Sequence, residues 1–437
     1  MSINKIPTEI WEHIVELSFD DDDWDVGRRL SQVNKLIRYN ILCTPIPWRR
    51  LQFSLADLND NSIRDRFDEW ASEMNERSGH AVKYIHLELT LAVIYSSDCI
   101  NFALHRFTIS NTLNVIKYTC ETRIQFLQLG CPQAKHVIAH IHGLEEDDEP
   151  AELFVDNAVE VVESDNVLLR YPETHMSMTD IRLRSVDINF TGRHRTSAEY
   201  QYRTTGDNFY DTINTLDDEQ FELILSSPVL KTLKVIHADS VSWTANYNIP
   251  TLKSITVQNS YCDFVSQITM PNIETVDLID VHKSENAWNT SFELGSSLKH
   301  LSIIRSNTPY TFSTFNLISL NLEGSPDELH FWTQSDTGIF KRRYCSSLKA
   351  LNISFTNFSL EDVLALVLDV DLEQLVCDLP NTHDDEDRDA LEDAIADEVG
   401  LYWTSIDQYY EDMRINDSIV QYFFPYPKDP FSSLPDM

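Results

Sequence analysis

The sequence predicts an α/β chain: a small N-terminal module of three helices, then a solenoid of stacked parallel strands lining a concave face. Three observations predict it. Apolar residues recur at helical steps through residues 6–41, a Leu-x-x-Leu-x-Leu frame recurs in order through the second half, and only 10 glycines occur in 437 residues. The first is the signature of amphipathic helices. The second is that of a unit too small to bury its own apolar face, which becomes stable only by stacking. The third removes the Gly-rich cradles on which phosphate-binding loops depend.

The N-terminal module begins at Pro7, which suits a first helical position because its missing N–H has no partner there in any helix. Ile6, Ile10, Ile14 and Leu17 follow at helical spacing, and Trp11, Val15 and Phe19 form a second stripe beside them. One stripe serves the module's own core, and the other needs cover from another protein. The acidic loop Asp20 to Asp23 leads to a second amphipathic run, Val26, Leu30, Val33, Ile37 and Ile41; Pro45 and Pro47 end it before Trp48 and Leu51. A module this small buries too little surface to stand comfortably alone.

These residues resemble the F-box. Ile6-Pro7-Thr8-Glu9-Ile10 matches the family's opening Leu-Pro-x-Glu-Ile, Leu30-Ser31-Gln32-Val33-Asn34-Lys35 its Leu-x-x-Val-x-Lys core, and Trp48-Arg49-Arg50-Leu51 its closing Trp-x-x-Leu. The departures are Ile6 for Leu and a longer, more acidic first loop. The resemblance covers residues 3 to 53 and implies docking on a Skp-type adaptor, and through it on a cullin-based ubiquitin ligase. Ile6, Pro7, Ile10, Trp11, Ile14, Val33 and Trp48 would then be the adaptor contacts. The alternative reading of the same residues is an ordinary helical cap packed on a larger domain.

The repeat frames are Leu230, Leu233, Val235; Leu252, Ile255, Val257; Ile273, Val276, Leu278; Leu298, Leu301, Ile303; Leu317, Leu320, Leu322; Leu348, Leu351, Ile353; and Leu372, Leu375, Cys377. Their first positions are 22, 21, 25, 19, 31 and 24 residues apart. This pattern resembles an irregular leucine-rich repeat. One departure is that Ser260, Ser306, Ser325 and Thr356 stand where that family carries Asn, giving the turn backbone shorter hydrogen-bonding side chains. In the first half, Val82, Ile85, Leu87; Leu113, Ile116, Tyr118; and Leu183, Val186, Ile188 fit the frame. The expected organisation is therefore the F-box at 1–53, the solenoid at 54–380, and an acidic, helical segment with an extended tail at 381–437. Helices are expected over Ile63 to Met74, Asp218 to Ser226 and Ser359 to Asp371, the last capped by Ser359 and Asp362. Glu145 to Glu149 and Thr191 to Thr215 read as excursions from the solenoid.

A formal charge of −36, with 34 basic residues against 70 acidic ones and no sustained basic run, argues against a nucleic-acid partner. No apolar leader or stretch long enough to span a bilayer is seen, so no membrane association is expected. The 7 cysteines form no pairwise framework and read as reduced thiols, which places the protein inside the cell, in cytoplasm or nucleus. His136, His140 and His142 have metal-like spacing, with Glu145 to Asp147 close behind. Val137, Ala139 and Ile141 alternate with them, which favours a strand with the imidazoles turned outward over a zinc site. No catalytic residue, metal or cofactor is expected.

The expected function is a non-catalytic receptor for a target protein, held on the inward-facing position between the second and third apolar residues of each frame. That ladder reads Lys234, Thr256, Asp277, Ser302, Asn321, Asn352 and Val376. An interaction scaffold with an unused F-box is the alternative.

Overall fold

The computed structural model describes residues 35, 45–55, 61–89, 97–108, 113–120, 128–130, 133–142, 151–170, 181–190, 215–216, 218–236, 239–240, 247–261, 268–282, 292–294, 296–306, 310–312, 316–323, 347–354, 371–377 and 400–403. The chain is α/β, with mostly parallel strands and few helices among these residues. It divides into two compact units, Met1–Leu230 and Lys231–Met437. Apart from Lys35, the expected F-box helices lie outside the described residues, as do the expected helix from Ser359 and the excursion at 145–149.

Unit 1 holds a parallel ladder of six strands: β1 (Arg50–Leu55), β2 (Tyr84–Leu89), β3 (Val115–Cys120), β4 (His136–Ile141), β5 (Val161–Asp165) and β6 (Ser185–Asn189). Register repeats from strand to strand. Ile85 stands between Leu51 and Ile116, and Val137, Val162 and Val186 continue the line. Ile85, Ile116, Val137, Val162 and Val186 are fully buried, and their line is the core of the unit. Each such side chain contributes about 1.5–3 kcal/mol by leaving water.

The ladder begins at Arg50 rather than after residue 53. Trp48, Leu51 and Phe53 stand at the three frame positions of the first repeat, so the segment read as the closing Trp-x-x-Leu is also the first ladder unit. β4 and β5 fill the stretch after residue 119 in which the sequence showed no frame. Their frames, Ala134, Val137, Ala139 and Val159, Val162, Ser164, are written in small residues that still bury completely or nearly so.

Helices α1 (Asn61–Arg77) and α2 (Ser97–Thr108) belong to the same unit. Ala71 and Met74 of α1, and Ile100, Ala103, Leu104 and Phe107 of α2, supply its helical core. Phe53, Phe67, Trp70 and Phe107 meet with ring centroids 5.0–6.4 Å apart. The Arg106 guanidinium pairs with Asp68 at 2.8 Å and lies over the Phe102 ring at 4.7 Å, tying α2 to α1. Helix α3 (Asp218–Leu225) has Asp218 and Glu219 at its positive N-terminal end and buries Phe221, Ile224 and Leu225. Short strands at 128–130, 151–154 and 167–170 make a separate parallel sheet of three.

Unit 2 repeats the plan with β7 (Thr232–Ile236), β8 (Ser254–Tyr261), β9 (Thr275–His282), β10 (His300–Ile304), β11 (Ser319–Asn321), β12 (Ala350–Asn352), β13 (Gln374–Cys377) and β14 (Gly400–Trp403). Leu233, Ile255, Val276, Leu301, Leu320, Leu351, Leu375 and Leu401 form one line through the pairing register. Strand β14 lies inside the segment 381–437 that was expected to be helical before its tail, and it carries the ladder past residue 380, where the solenoid was expected to end. Its frame fails at the first position, where Glu398 replaces an apolar residue, but Leu401 and Trp403 keep register with Leu375 and Cys377.

Two local devices hold the repeats together. Within each unit, among described residues, the residue after a first frame position donates its backbone N–H to the carbonyl of its counterpart one repeat earlier, as in Lys83 to Arg49 at 2.8 Å and Lys253 to Lys231 at 2.8 Å. Asn166 and Arg305, just past their strands, and Asp280, within β9, all take positive φ, of 58°, 47° and 51°, two residues after their third frame position. Ser306 fulfils the expected turn role: its hydroxyl accepts from Val281 N–H at 3.0 Å and lies 3.1 Å from the Leu278 carbonyl. In unit 1, Asn166, one position earlier relative to its own frame, donates from its side-chain amide to the Ile141 carbonyl at 2.9 Å.

Candidate recognition surfaces

In a strand, alternate side chains share a face, so the residues between the second and third frame positions line the side opposite the apolar core. The register in unit 2 places Lys234 beside Thr256, Thr256 beside Asp277, Asp277 beside Ser302, then Asn321, Asn352 and Val376 in line. The expected ladder therefore exists as a line of neighbours. Its exposure is not as expected. Thr256, Ser302, Asn321, Asn352 and Val376 are all under a tenth exposed, and only Lys234 and Asp277 are half-buried.

The buried amides are engaged locally. Asn321 Oδ1 accepts from Glu323 N–H at 3.2 Å, Asn352 Oδ1 accepts from Ser354 N–H at 3.0 Å, and Asn352 Nδ2 donates to Glu323 at 3.4 Å. Both asparagines therefore close turns at strand ends. Thr256 Oγ1 donates to Asp277 at 3.2 Å. Burial pushes the Asp277 carboxyl up to about 6, with the Thr256 bond opposing. Just past the end of β10, Arg305 grips Asp280 of β9 through two bonds of 2.6 Å.

The matching positions of unit 1 are more polar and more open. Gln52, His86, Lys117, Ile138, Glu163 and Asp187 form one line, and Ser54, Glu88, Thr119, His140, Asp165 and Asn189 the next. Of these twelve, only His86 is buried. His136 meets Glu163 at 3.1 Å and His140 meets Asp165 at 2.5 Å, while the His140 and His142 rings stack with centroids 6.3 Å apart. Desolvation is the largest influence on Asp165 and opposes its ionisation, but the bond and charge of His140, the bond from Asn189 and the charge of His142 together hold the carboxyl below its ordinary value. His86 bonds to Thr119 Oγ1 at 2.8 Å, and burial, aided by Lys117, lowers its pKa to about 4. The outward histidines on β4 match the alternation read from Val137, Ala139 and Ile141. Among the described residues, no group of three or more His, Cys, Asp or Glu could hold a metal ion.

This second face was partly legible. The frames around residues 85, 116 and 186 already placed His86, Lys117 and Asp187 on it, but the missing frames of β4 and β5 hid the histidine and carboxylate pairs between them.

Of the expected adaptor contacts, only Trp48 is among the described residues. It sits half-buried in a 3₁₀ turn, Ile46–Arg49, with the Arg77 guanidinium 4.7 Å over its ring. Ile6, Pro7, Ile10, Trp11, Ile14 and Val33 lie outside the described residues. Among described residues, Cys120 and Cys377 are buried and form no disulfide, and no helix is long and apolar enough to cross a membrane. No family model matches this chain, and no curated protein matches it either.

Proposed function

We propose that this chain is a non-catalytic substrate receptor of a cullin-based ubiquitin ligase. The N-terminal module docks on a Skp-type adaptor, the ladder binds a target protein, and partner subunits carry out ubiquitin transfer. The observation that carries the reading is an arrangement: a short segment with two apolar stripes, Ile6 to Phe19, is followed by a long parallel ladder. The stripes need a partner's cover, and a stacked ladder offers an extended surface for another. The open face of unit 1, rather than the buried ladder of unit 2, suits target contact because its polar groups remain within reach of a ligand.

The test is capture of a purified Skp-type adaptor by the full chain and by a variant carrying Pro7→Ala and Ile10→Ala. Truncation of a buried aliphatic side chain costs about 2–5 kcal/mol, so the variant should lose most of a micromolar complex while its thermal unfolding is unchanged. Undiminished capture by the variant, or no capture by the unaltered chain, would overturn the reading. In the second case the chain is a scaffold rather than a ligase subunit.

A further inference from the structure

The basic residues of this chain are few, 34 in 437, and form no run in the sequence. Folding gathers some of them. The residue after the first frame position of each unit 1 repeat is, in order, Arg49, Lys83, Asn114, Lys135, Glu160 and Arg184. Backbone bonds of 2.6–3.0 Å join each of these positions to the next. Four cations therefore stand in single file against one carboxylate, on a protein whose charge is otherwise strongly negative. Lys135 and Arg184 are exposed, and Arg49 and Lys83 are half-buried. Among the described residues, no ion pair involves any of the four cations. In the equivalent row of unit 2, Lys231 has no ion pair among the described residues, but the later cations are neutralised in place: Glu274 lies 2.7 Å from both Lys253 and Lys299, and Lys349 lies 3.0 Å from Asp371 and 3.3 Å from Glu373.

We propose that the edge row of unit 1 is a docking strip for an acidic polypeptide segment of a partner protein. Adjacent strands are about 4.8 Å apart, so Lys83, Lys135 and Arg184, on alternate strands, recur every ~10 Å, close to the span of three residues of an extended chain. An acidic peptide can follow such a file. A broad nucleic-acid backbone would also meet Glu160 and the negative field of the rest of the chain. The strip is independent of adaptor docking, and the experiment below contains no adaptor, so the two readings can fail separately.

The experiment measures fluorescence anisotropy of a labelled oligoglutamate peptide with the full-length protein. The unaltered chain should bind, and binding should weaken as salt rises from about 50 to about 300 mM, because screening shortens the reach of the row. Lys83→Glu, Lys135→Glu and Arg184→Glu together should weaken binding by about tenfold or more, whereas Lys231→Glu, Lys253→Glu and Lys299→Glu together should change it by no more than about twofold. If the first triple variant does not fold, the same positions changed to Gln should still give a clear loss.

The proposal is overturned by absence of peptide binding to the unaltered chain, or by equal loss in the two triple variants. Tighter binding of single-stranded oligothymidine than of the peptide overturns it in favour of nucleic acid. Binding that emerges only after Asp384, Asp385 and Asp387 are changed to Asn and Glu386 to Gln overturns it in favour of the chain's own acidic run.

Discussion

The two units share one apolar frame and differ in nearly everything placed around it. In unit 1 the face between frame positions is open and carries histidines paired with carboxylates; in unit 2 the corresponding line is buried and mostly uncharged. At the edge the contrast lies in neutralisation: Arg49, Lys83, Lys135 and Arg184 of unit 1 form no ion pair among described residues, whereas Lys253, Lys299 and Lys349 of unit 2 are bridged by Glu274, Asp371 and Glu373. The comparison teaches that a stacked ladder needs only its apolar lines. The intervening positions remain free to take a separate character in each unit.

The largest expected effect tests what the units share. Ile116→Ala in unit 1 and Leu301→Ala in unit 2 each remove a fully buried frame side chain, and each should cost about 2–5 kcal/mol by denaturant unfolding. A much smaller loss in one unit would show that its frame is not an equivalent core.

The next test separates the units by pH. The folded-state pKa of His86 is lowered to about 4 from 6.5, so the folded state prefers the neutral ring; stability is fully present above pH 6.5 and is lost as pH falls toward 4. The folded-state pKa of Asp277 is raised to about 6 from 3.8, so the unfolded state ionises first; stability is greatest below pH 3.8 and is lost as pH rises through 6. His86→Gln should therefore reduce the acid sensitivity of the melting temperature between pH 6.5 and 4. Asp277→Asn should raise the melting temperature at neutral pH, with the gain disappearing near pH 4. Each effect should be about 1–3 kcal/mol at its maximum. A gain from Asp277→Asn that persists unchanged at pH 4 would show that burial of the charge is not its cause.

The smallest effect belongs to the edge. Glu274 is held at about 2, chiefly by bonds from Lys253 and Lys299, but it lies near the surface. Glu274→Gln should cost no more than about 1 kcal/mol, fading in high salt. Its sharper consequence is electrostatic: with Lys253 and Lys299 released, unit 2 should gain some affinity for the oligoglutamate probe, moving its edge toward the character of unit 1.

Much of the ladder was legible wherever large aliphatic residues marked the frame, as at Leu298, Leu301 and Ile303. It was not legible at β4, β5 and β14, where Ala134, Ser164 and Glu398 interrupt the pattern. Neighbouring strands supply enough burial and enough backbone bonds to carry a weak repeat that its own residues do not announce. The open ladder expected at Asn321 and Asn352 failed for a related reason. Alternation says which face a side chain joins, but the surrounding chain decides whether that face meets water.

By itself the sequence determined a parallel ladder of unequal repeats. It determined this because apolar periodicity is local, and burial rewards it wherever it occurs. Only the tertiary structure decided that Trp48 belongs to the first repeat, that Asp277 is withdrawn from water and that Arg49, Lys83, Lys135 and Arg184 share one edge. Those outcomes depend on residues far apart in sequence becoming neighbours through strand register, and charge separated by whole repeats leaves no run to be read.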